Sequence, residues 1–318
     1  MSAAQIYSLK NKKIWIAGHS GLVGSAMVRL LESKGYEVLT VGRAALDLRN
    51  QEAVQRWMVE HKPDVVVLAA AKVGGIGANM AAPADFIYDN LMIETNVIHG
   101  AYLCGVEKLL FLGSSCIYPK DAPSPIKEDA LLSGALEPSN APYALAKITG
   151  IEMCKAYRAQ YGCDFISAMP CNLYGPGDNF DLQSAHVIPA LMAKAHAAKV
   201  AGDKVLSVWG SGKPRREFLY SDDLTAALLV LLERYSDSNP VNIGTGEDIT
   251  IAALAAEIMH AIDFDGALEF DDKKPDGVFE KRLDTQVIKA LGWEPVTSLQ
   301  DGLARLYDWY RAAYINRS

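Results

Sequence analysis

The chain has 318 residues, 50% of them hydrophobic and 22% charged, with a formal net charge of −7. That length and apolar content support one large α/β domain or two unequal lobes, and the acidic balance argues against a nucleic-acid or membrane-surface binder. No apolar run approaches the roughly 18 residues of a membrane span.

The first ten residues lack the apolar stretch and cleavage site of a signal peptide and read as a short ragged extension. Residues 13–17 then form an apolar run ending at Gly18, the pattern of a buried parallel strand. Apolar residues at helical spacing over 22–34 stop at Gly35. A strand over 37–41, a helix over 52–61 and an apolar run over 64–71 follow. A long helix is predicted over 84–104, a strand over 108–112, a helix over 144–161 and a strand over 164–169. Strands alternating with helices of this length predict βαβ crossovers, hence a doubly wound parallel (Rossmann) α/β sheet.

After Pro170 the rhythm changes to turns, short strands and separate helices. Residues 1–170 are therefore read as mainly a dinucleotide-binding domain. Residues 171–318 are read as mainly a smaller α/β substrate lobe, with segments crossing back to the first. Such a lobe closes over the carboxyl edge of the sheet, where ligands bind in this architecture.

Gly18-His19-Ser20-Gly21-Leu22-Val23-Gly24 places three glycines between a predicted strand and a predicted helix. Glycines there allow a tight turn and close backbone approach, and the helix start offers free N–H groups to a pyrophosphate. The second strand ends in Arg43 rather than an acidic residue, which suits a 2′-phosphate and so NADP(H) over NAD; the plain alternative is a solvated arginine. Asp47, Leu48, Leu68, Ala69 and Ala70 are candidates for the adenosine pocket, though each also suits core packing.

Tyr143 and Lys147 stand four apart at a helix start and project from one face. An ammonium near a phenol stabilises the phenolate and is expected to lower its pKa. Lys147 also suits the nicotinamide ribose. Ser114, just past the 108–112 strand, suits an oxyanion-type site for a carbonyl. Cys116 follows two places on. Taken alone, it reads as a small buried apolar residue, and His186 as a histidine at a helix start.

At these residues the chain resembles the extended short-chain dehydrogenase/reductases that act on nucleotide sugars. The resemblance spans essentially the whole chain: the 18–26 glycine loop, Ala69-Ala70-Ala71-Lys72-Val73-Gly74-Gly75-Ile76, the 112–119 segment around Ser114 and Cys116, Asn172-Leu173-Tyr174-Gly175-Pro176, His186-Val187-Ile188-Pro189-Ala190 and Trp209-Gly210-Ser211-Gly212. Ser20 departs from the family pattern, in which arginine is common, and leaves Arg43 more of the phosphate's charge. The resemblance implies NADPH-dependent 3,5-epimerisation and 4-reduction of GDP-4-keto-6-deoxy-D-mannose to GDP-L-fucose. Another GDP-4-keto sugar (colitose or heptose type) is the near alternative; a UDP-sugar 4-epimerase and a non-catalytic NADP-binding protein are more distant ones.

It also implies that Cys116 and His186 are the acid/base pair of the epimerisation, beside Ser114, Tyr143 and Lys147. A ketone at C4 acidifies the hydrogens on C3 and C5, and inverting each centre needs a base on one face and an acid on the other. Thiol and imidazole both titrate near enough to neutrality for that work. Pro170, Asn172, Leu173 and His186 join the cofactor contacts by the same resemblance, and Lys194, Trp209, Arg216 and Asp276 the substrate contacts. No metal site is expected, and the partners expected are a GDP-sugar and a second copy of the chain, packed through the helices at 84–104 and 144–161. Five cysteines (Cys104, Cys116, Cys154, Cys163 and Cys171) without metal-type spacing fit a reduced, cytoplasmic enzyme.

Overall fold

Apolar runs flanked by turn residues become the strands of one parallel sheet in the computed structural model, which describes residues 4–273, 276 and 278–315. The first half runs β1 (Lys13–Ala17), α1 (Leu22–Ser33), β2 (Glu37–Leu39), α2 (Gln51–His61), β3 (Val65–Leu68), α3 (Ile76–Ala81), α4 (Pro83–Leu103), β4 (Lys108–Leu112), α5 (Ala141–Tyr161) and β5 (Asp164–Pro170). The second half runs β6 (Asn172–Tyr174), α6 (Val187–Ala201), β7 (Val205–Trp209), β8 (Arg215–Arg216), β9 (Phe218–Tyr220), α7 (Ser221–Arg234), β10 (Val241–Ile243), β11 (Ile249–Thr250), α8 (Ile251–Ile262), β12 (Ala267–Asp271), β13 (Glu280–Lys281), α9 (Gln286–Ala290) and α10 (Leu299–Tyr310).

The main sheet has six strands in the order β10-β5-β4-β3-β1-β2, all parallel. Strand order reverses at β1, which lies between β2 and β3, so a crevice opens beyond the carboxyl ends of β1 and β3. Because every strand points the same way, Gly18, Ala69, Ser114 and Asn172 all emerge at one edge. β3 and β4 are buried along their whole length, as strands covered by helices on both faces must be.

Two apolar cores form. One surrounds the main sheet; the other joins α6, α8 and α10 with Tyr174, Phe180, Leu206 and Val208. Chain order does not separate them. α7 packs on α1, and β10 pairs with β5, so residues after 220 return to the first core. Glu217, fully buried between the two cores, accepts hydrogen bonds from the Gly246 and Leu283 N–H groups at 2.6 and 2.9 Å.

Two sequence expectations are corrected. The N-terminal extension is anchored: Leu9 is buried, and the Ile6 and Tyr7 N–H groups donate to Glu233 O at 2.8 and 3.1 Å. The apolar run over 64–71 is strand only over Val65–Leu68, and Ala69, Ala70 and Ala71 form the exit loop. A short α3 before α4 was not anticipated, since a six-residue helix carries too little periodicity to read. No described helix is long and apolar enough to cross a membrane.

Candidate active site

Gly18 has φ +94°, and a Cβ there would lie 2.6 Å from both Ala70 Cα and Ala70 N, so the loops leaving β1 and β3 meet at a point only glycine permits. A Cβ on Gly24 would fall on Gly18 O, which fixes α1 against the turn. Gly21 caps α1 without a side-chain hydrogen bond, and the first turn holds no acidic residue. The amide groups of that turn therefore face an anion site with no competing carboxylate.

A cleft of about 330 Å³ opens there, lined by Gly18, His19, Ser20, Gly21, Arg43, Asp47, Leu48, Ala69 and Ala70 among others. Leu22, Val23 and Gly24 sit just behind as the first turn of α1, and Leu68 is fully buried at the end of β3 rather than on the cleft wall. Arg43 is exposed and makes no ion pair or hydrogen bond with a described residue. Asp47 is already engaged: Arg49 donates to it at 2.7–3.2 Å and holds its carboxyl down to about 2. Arg49 and Lys72 also share Asp89, at 3.0 and 3.1 Å. Sequence reading missed this Asp47–Arg49–Asp89–Lys72 chain, whose only signal was acidic and basic residues close to the glycine loop's partners.

Ser114 ends the exit from β4 and caps the short turn Ser115–Ile117, where the Cys116 N–H donates to Ser114 Oγ at 3.4 Å. Tyr143 and Lys147 rise from the first turns of α5. Burial, with the charges of Cys116 and Glu94 adding to it, pushes the Tyr143 phenol well above its ordinary value, and the Ser114 hydroxyl opposes the rise. Lys147 does not bring the phenol below its ordinary value. Lys147 Nζ lies 5.9 Å from the Tyr143 ring centre but 2.9 Å from Glu94 Oε1, an ion pair 2% and 1% exposed.

Cys116 is half-buried, and burial pushes its thiol up; Lys281, the Ser114 hydrogen bond and Lys147 pull in the other direction. Lys281, on β13, was not singled out from the sequence. His186 caps α6 through its backbone. Its side chain is exposed, yet the surrounding protein strips enough water that its pKa falls. The loop before it is tied to the first core: Gly75 N–H donates to Ser184 O at 3.0 Å. Pro170 is buried at the end of β5, Asn172 Nδ2 donates to Glu217 O at 2.9 Å, and Leu173 is half-buried on β6. Cys154 and Cys171 are buried with thiols pushed up, Cys154 to about 12.

The four residues expected at the substrate are related through two pairs, Lys194 with Trp209 and Arg216 with Asp276. Lys194 Nζ lies 5.1 Å over the Trp209 ring, which is itself exposed. Asp276 accepts from Ser211 N–H at 2.9 Å and Oγ at 2.6 Å, two residues beyond Trp209. Arg216 is held mainly by burial below the usual guanidinium value, with Asp276 opposing. Of residues 274–277 only Asp276 lies within the described residues. No cluster of metal-binding side chains occurs among the described residues.

Residues 14–244 match the NAD-dependent epimerase/dehydratase family. The chain is 55% identical to a GDP-L-fucose synthase of Sinorhizobium fredii, over 95% of this chain and 96% of that one. It is 54% identical to GDP-L-fucose synthase 1 of Arabidopsis thaliana, over 97% and 96% respectively. A solved GDP-L-fucose synthetase of Naegleria fowleri, bound to NADP, superposes with a TM-score of 0.91 at 30% identity, covering 99% of this chain and 97% of the other.

Proposed function

This chain belongs to the NAD-dependent epimerase/dehydratase family, and within it we propose that the chain is a GDP-L-fucose synthase, converting GDP-4-keto-6-deoxy-D-mannose to GDP-L-fucose by 3,5-epimerisation and NADPH-dependent 4-reduction. The observation that carries the reading is the grouping of Ser114, Cys116, Tyr143 and Lys147 at one sheet edge, in a chain whose relatives of that name match it nearly end to end.

The first cleft fits NADP(H). The amides of the 18–24 turn would hold the diphosphate, unpaired Arg43 the 2′-phosphate, and Asp47, Leu48, Leu68, Ala69 and Ala70 the adenosine half. Lys147, Pro170, Asn172, Leu173 and His186 would complete the other half. Bound NADPH supplies the hydride that reduces C4.

The protein's own residues do the proton work. Ser114 and Tyr143 hydrogen-bond the C4 oxygen, so charge that develops there on loss of the C3 or C5 hydrogen meets fixed donors in a site with little water. Cys116 and His186 carry one exchangeable proton between them, as thiol and imidazole or as thiolate and imidazolium. The pair therefore supplies one acid and one base, the requirement for inversion. In the chair form of the D-manno ring both hydrogens are axial on the same face. The same residue must act as base twice, and the pair must recover its proton arrangement between the two events. Tyr143 then gives its proton to the C4 oxygen in the reduction. Lys194, Trp209, Arg216 and Asp276 hold the nucleotide diphosphate end, where arginine's planar fork suits phosphate oxygens.

The test is incubation with GDP-4-keto-6-deoxy-D-mannose in deuterated water, with and without NADPH. Deuterium at C3 and C5 and substrate-dependent NADPH oxidation are expected; absence of the first removes the epimerase assignment, and absence of the second the reductase. The enzyme is placed in the cytoplasm, where its five free cysteines stay reduced. It is further read as a homodimer through α4 and α5, which pack side by side and leave Tyr88, Leu103, Leu145 and Tyr161 exposed. Light scattering at the monomer mass would remove that assignment.

A further inference from the structure

Glu94 lies on the inward stripe of α4 with Asn90, Val97, Ile98 and Ala101, all buried. Its carboxylate meets Lys147 across the α4–α5 contact at 2.9 Å and has no other polar partner among the described residues. Packing does not require this arrangement. Desolvating two charges offsets most of their attraction, and an apolar pair of similar volume fills such a space at least as well. The pair does, however, change the charge beside Tyr143. An ammonium carries three donors, so one can point at Glu94 while two remain for ligands.

We propose that Glu94 is a positioning residue for the reduction: it anchors the Lys147 ammonium and offsets part of its field at Tyr143, so that Tyr143 keeps the proton it donates to the substrate oxygen. The inference rests on the proposed reductase activity. A reductase needs an acid at this position, whereas a bare ammonium would favour the phenolate and thus the reverse, oxidising direction. The groups that face Tyr143 come from three elements. They are the Ser114 hydroxyl and Cys116 thiol from the turn after β4, Glu94 from α4, and Lys147 from α5 itself. Lys281 on β13 acts on Cys116, and the Glu94 charge also reaches Cys154 on α5. Burial raises the Glu94 carboxyl, and the Lys147 ammonium 2.9 Å away opposes that rise.

The experiment is the pH dependence of substrate-driven NADPH oxidation for wild type, Glu94→Gln and Glu94→Asp, with thermal midpoints measured alongside. Loss of the carboxylate frees the Lys147 field and is expected to move the alkaline limb of kcat down by about one pH unit or more, with KM for NADPH little changed. Glu94→Asp keeps the charge but withdraws it by one methylene, so its limb should fall between the other two. A lower midpoint with an unmoved limb in both variants would mean that Glu94 is structural only. If Glu94→Gln does not fold, Glu94→Asp decides: an unmoved limb overturns the proposal. Failure of the wild type to oxidise NADPH would instead strike the reductase assignment.

Discussion

Gly18→Ala tests the phosphate cradle with one atom. The new Cβ would lie 2.6 Å from Ala70 Cα and N, where ordinary contacts begin at 3.4 Å. Backbone cannot rotate aside as a side-chain tip does, so the β1 and β3 exit loops must separate by roughly 0.8 Å. A φ of +94° costs an L-residue about 1–2 kcal/mol besides, which corresponds to about 1.5–3 °C at an unfolding entropy of about 2.1 cal/mol/K per residue. Both loops line the cofactor cleft, so the displacement falls on the amides that meet the diphosphate. NADPH affinity should drop at least about tenfold, or 1.4 kcal/mol. Calorimetric titration with NADPH and a circular-dichroism melt read the two effects separately. Gly21→Ala is the control: its φ is −80° and its Cβ would meet nothing closer than Gly18 O at 3.6 Å, so its melt should match wild type. If Gly18→Ala melts early yet binds NADPH as wild type does, the turn is structural and the cofactor lies elsewhere.

Arg43→Ala should reduce kcat/KM for NADPH about ten- to a hundredfold, since one charge-assisted phosphate contact is lost, and leave NADH nearly unaffected. Equal losses with both nucleotides would show that Arg43 does not read the 2′-phosphate. Cys116→Ser should slow deuterium exchange at C3 and C5 by about 10²–10⁴ while sparing reduction of an already epimerised ketone, because the backbone hydrogen bond from residue 116 to Ser114 at 3.4 Å survives. Equal loss in both assays would make Cys116 only part of the pocket's shape. Exchange should also follow the two pKa directions. A base fails as pH falls through its pKa, and burial lowers that of His186 from 6.5, so the acid limb belongs below 6.5. An acid fails as pH rises, and burial raises that of Cys116 from 9.0, so the alkaline limb belongs above 9.0. A limb between those values would contradict the assignment of the pair.

The architecture was legible because buried parallel strands announce themselves: Val65–Leu68 is β-branched or aliphatic throughout, and a glycine turn follows β1 directly. Side-chain partnerships across helices were not. Glu94 and Lys147 are 53 positions apart, and nothing in periodicity says that α4 and α5 lie side by side. The sequence did carry one unused sign, a carboxylate on a helical stripe otherwise buried and uncharged, which rarely occurs without a partner. Lys281 was illegible for a different reason. It reaches Cys116 only because the two-residue β13 pairs with β8, and a strand that short has no pattern of its own.

These hidden partners alter how the site should be understood. Read from the sequence, Lys147 was a cation serving a tyrosine; in the fold it is half of a compensated pair. Burial raises Tyr143 and Cys116 and lowers His186, so each of the three favours its uncharged form near neutrality. The free positive charge stands instead toward the two ends, at Arg43 and at Lys194 with Arg216, where phosphates would be met. Such a layout separates holding from reacting. On the proposed assignment, ligand charge would be taken up at the ends, and the centre would stay nearly neutral until the C4 oxygen develops charge, when donors such as Ser114 and Tyr143 would be worth most. A centre already carrying a tyrosinate would repel that oxygen and have no proton to give it.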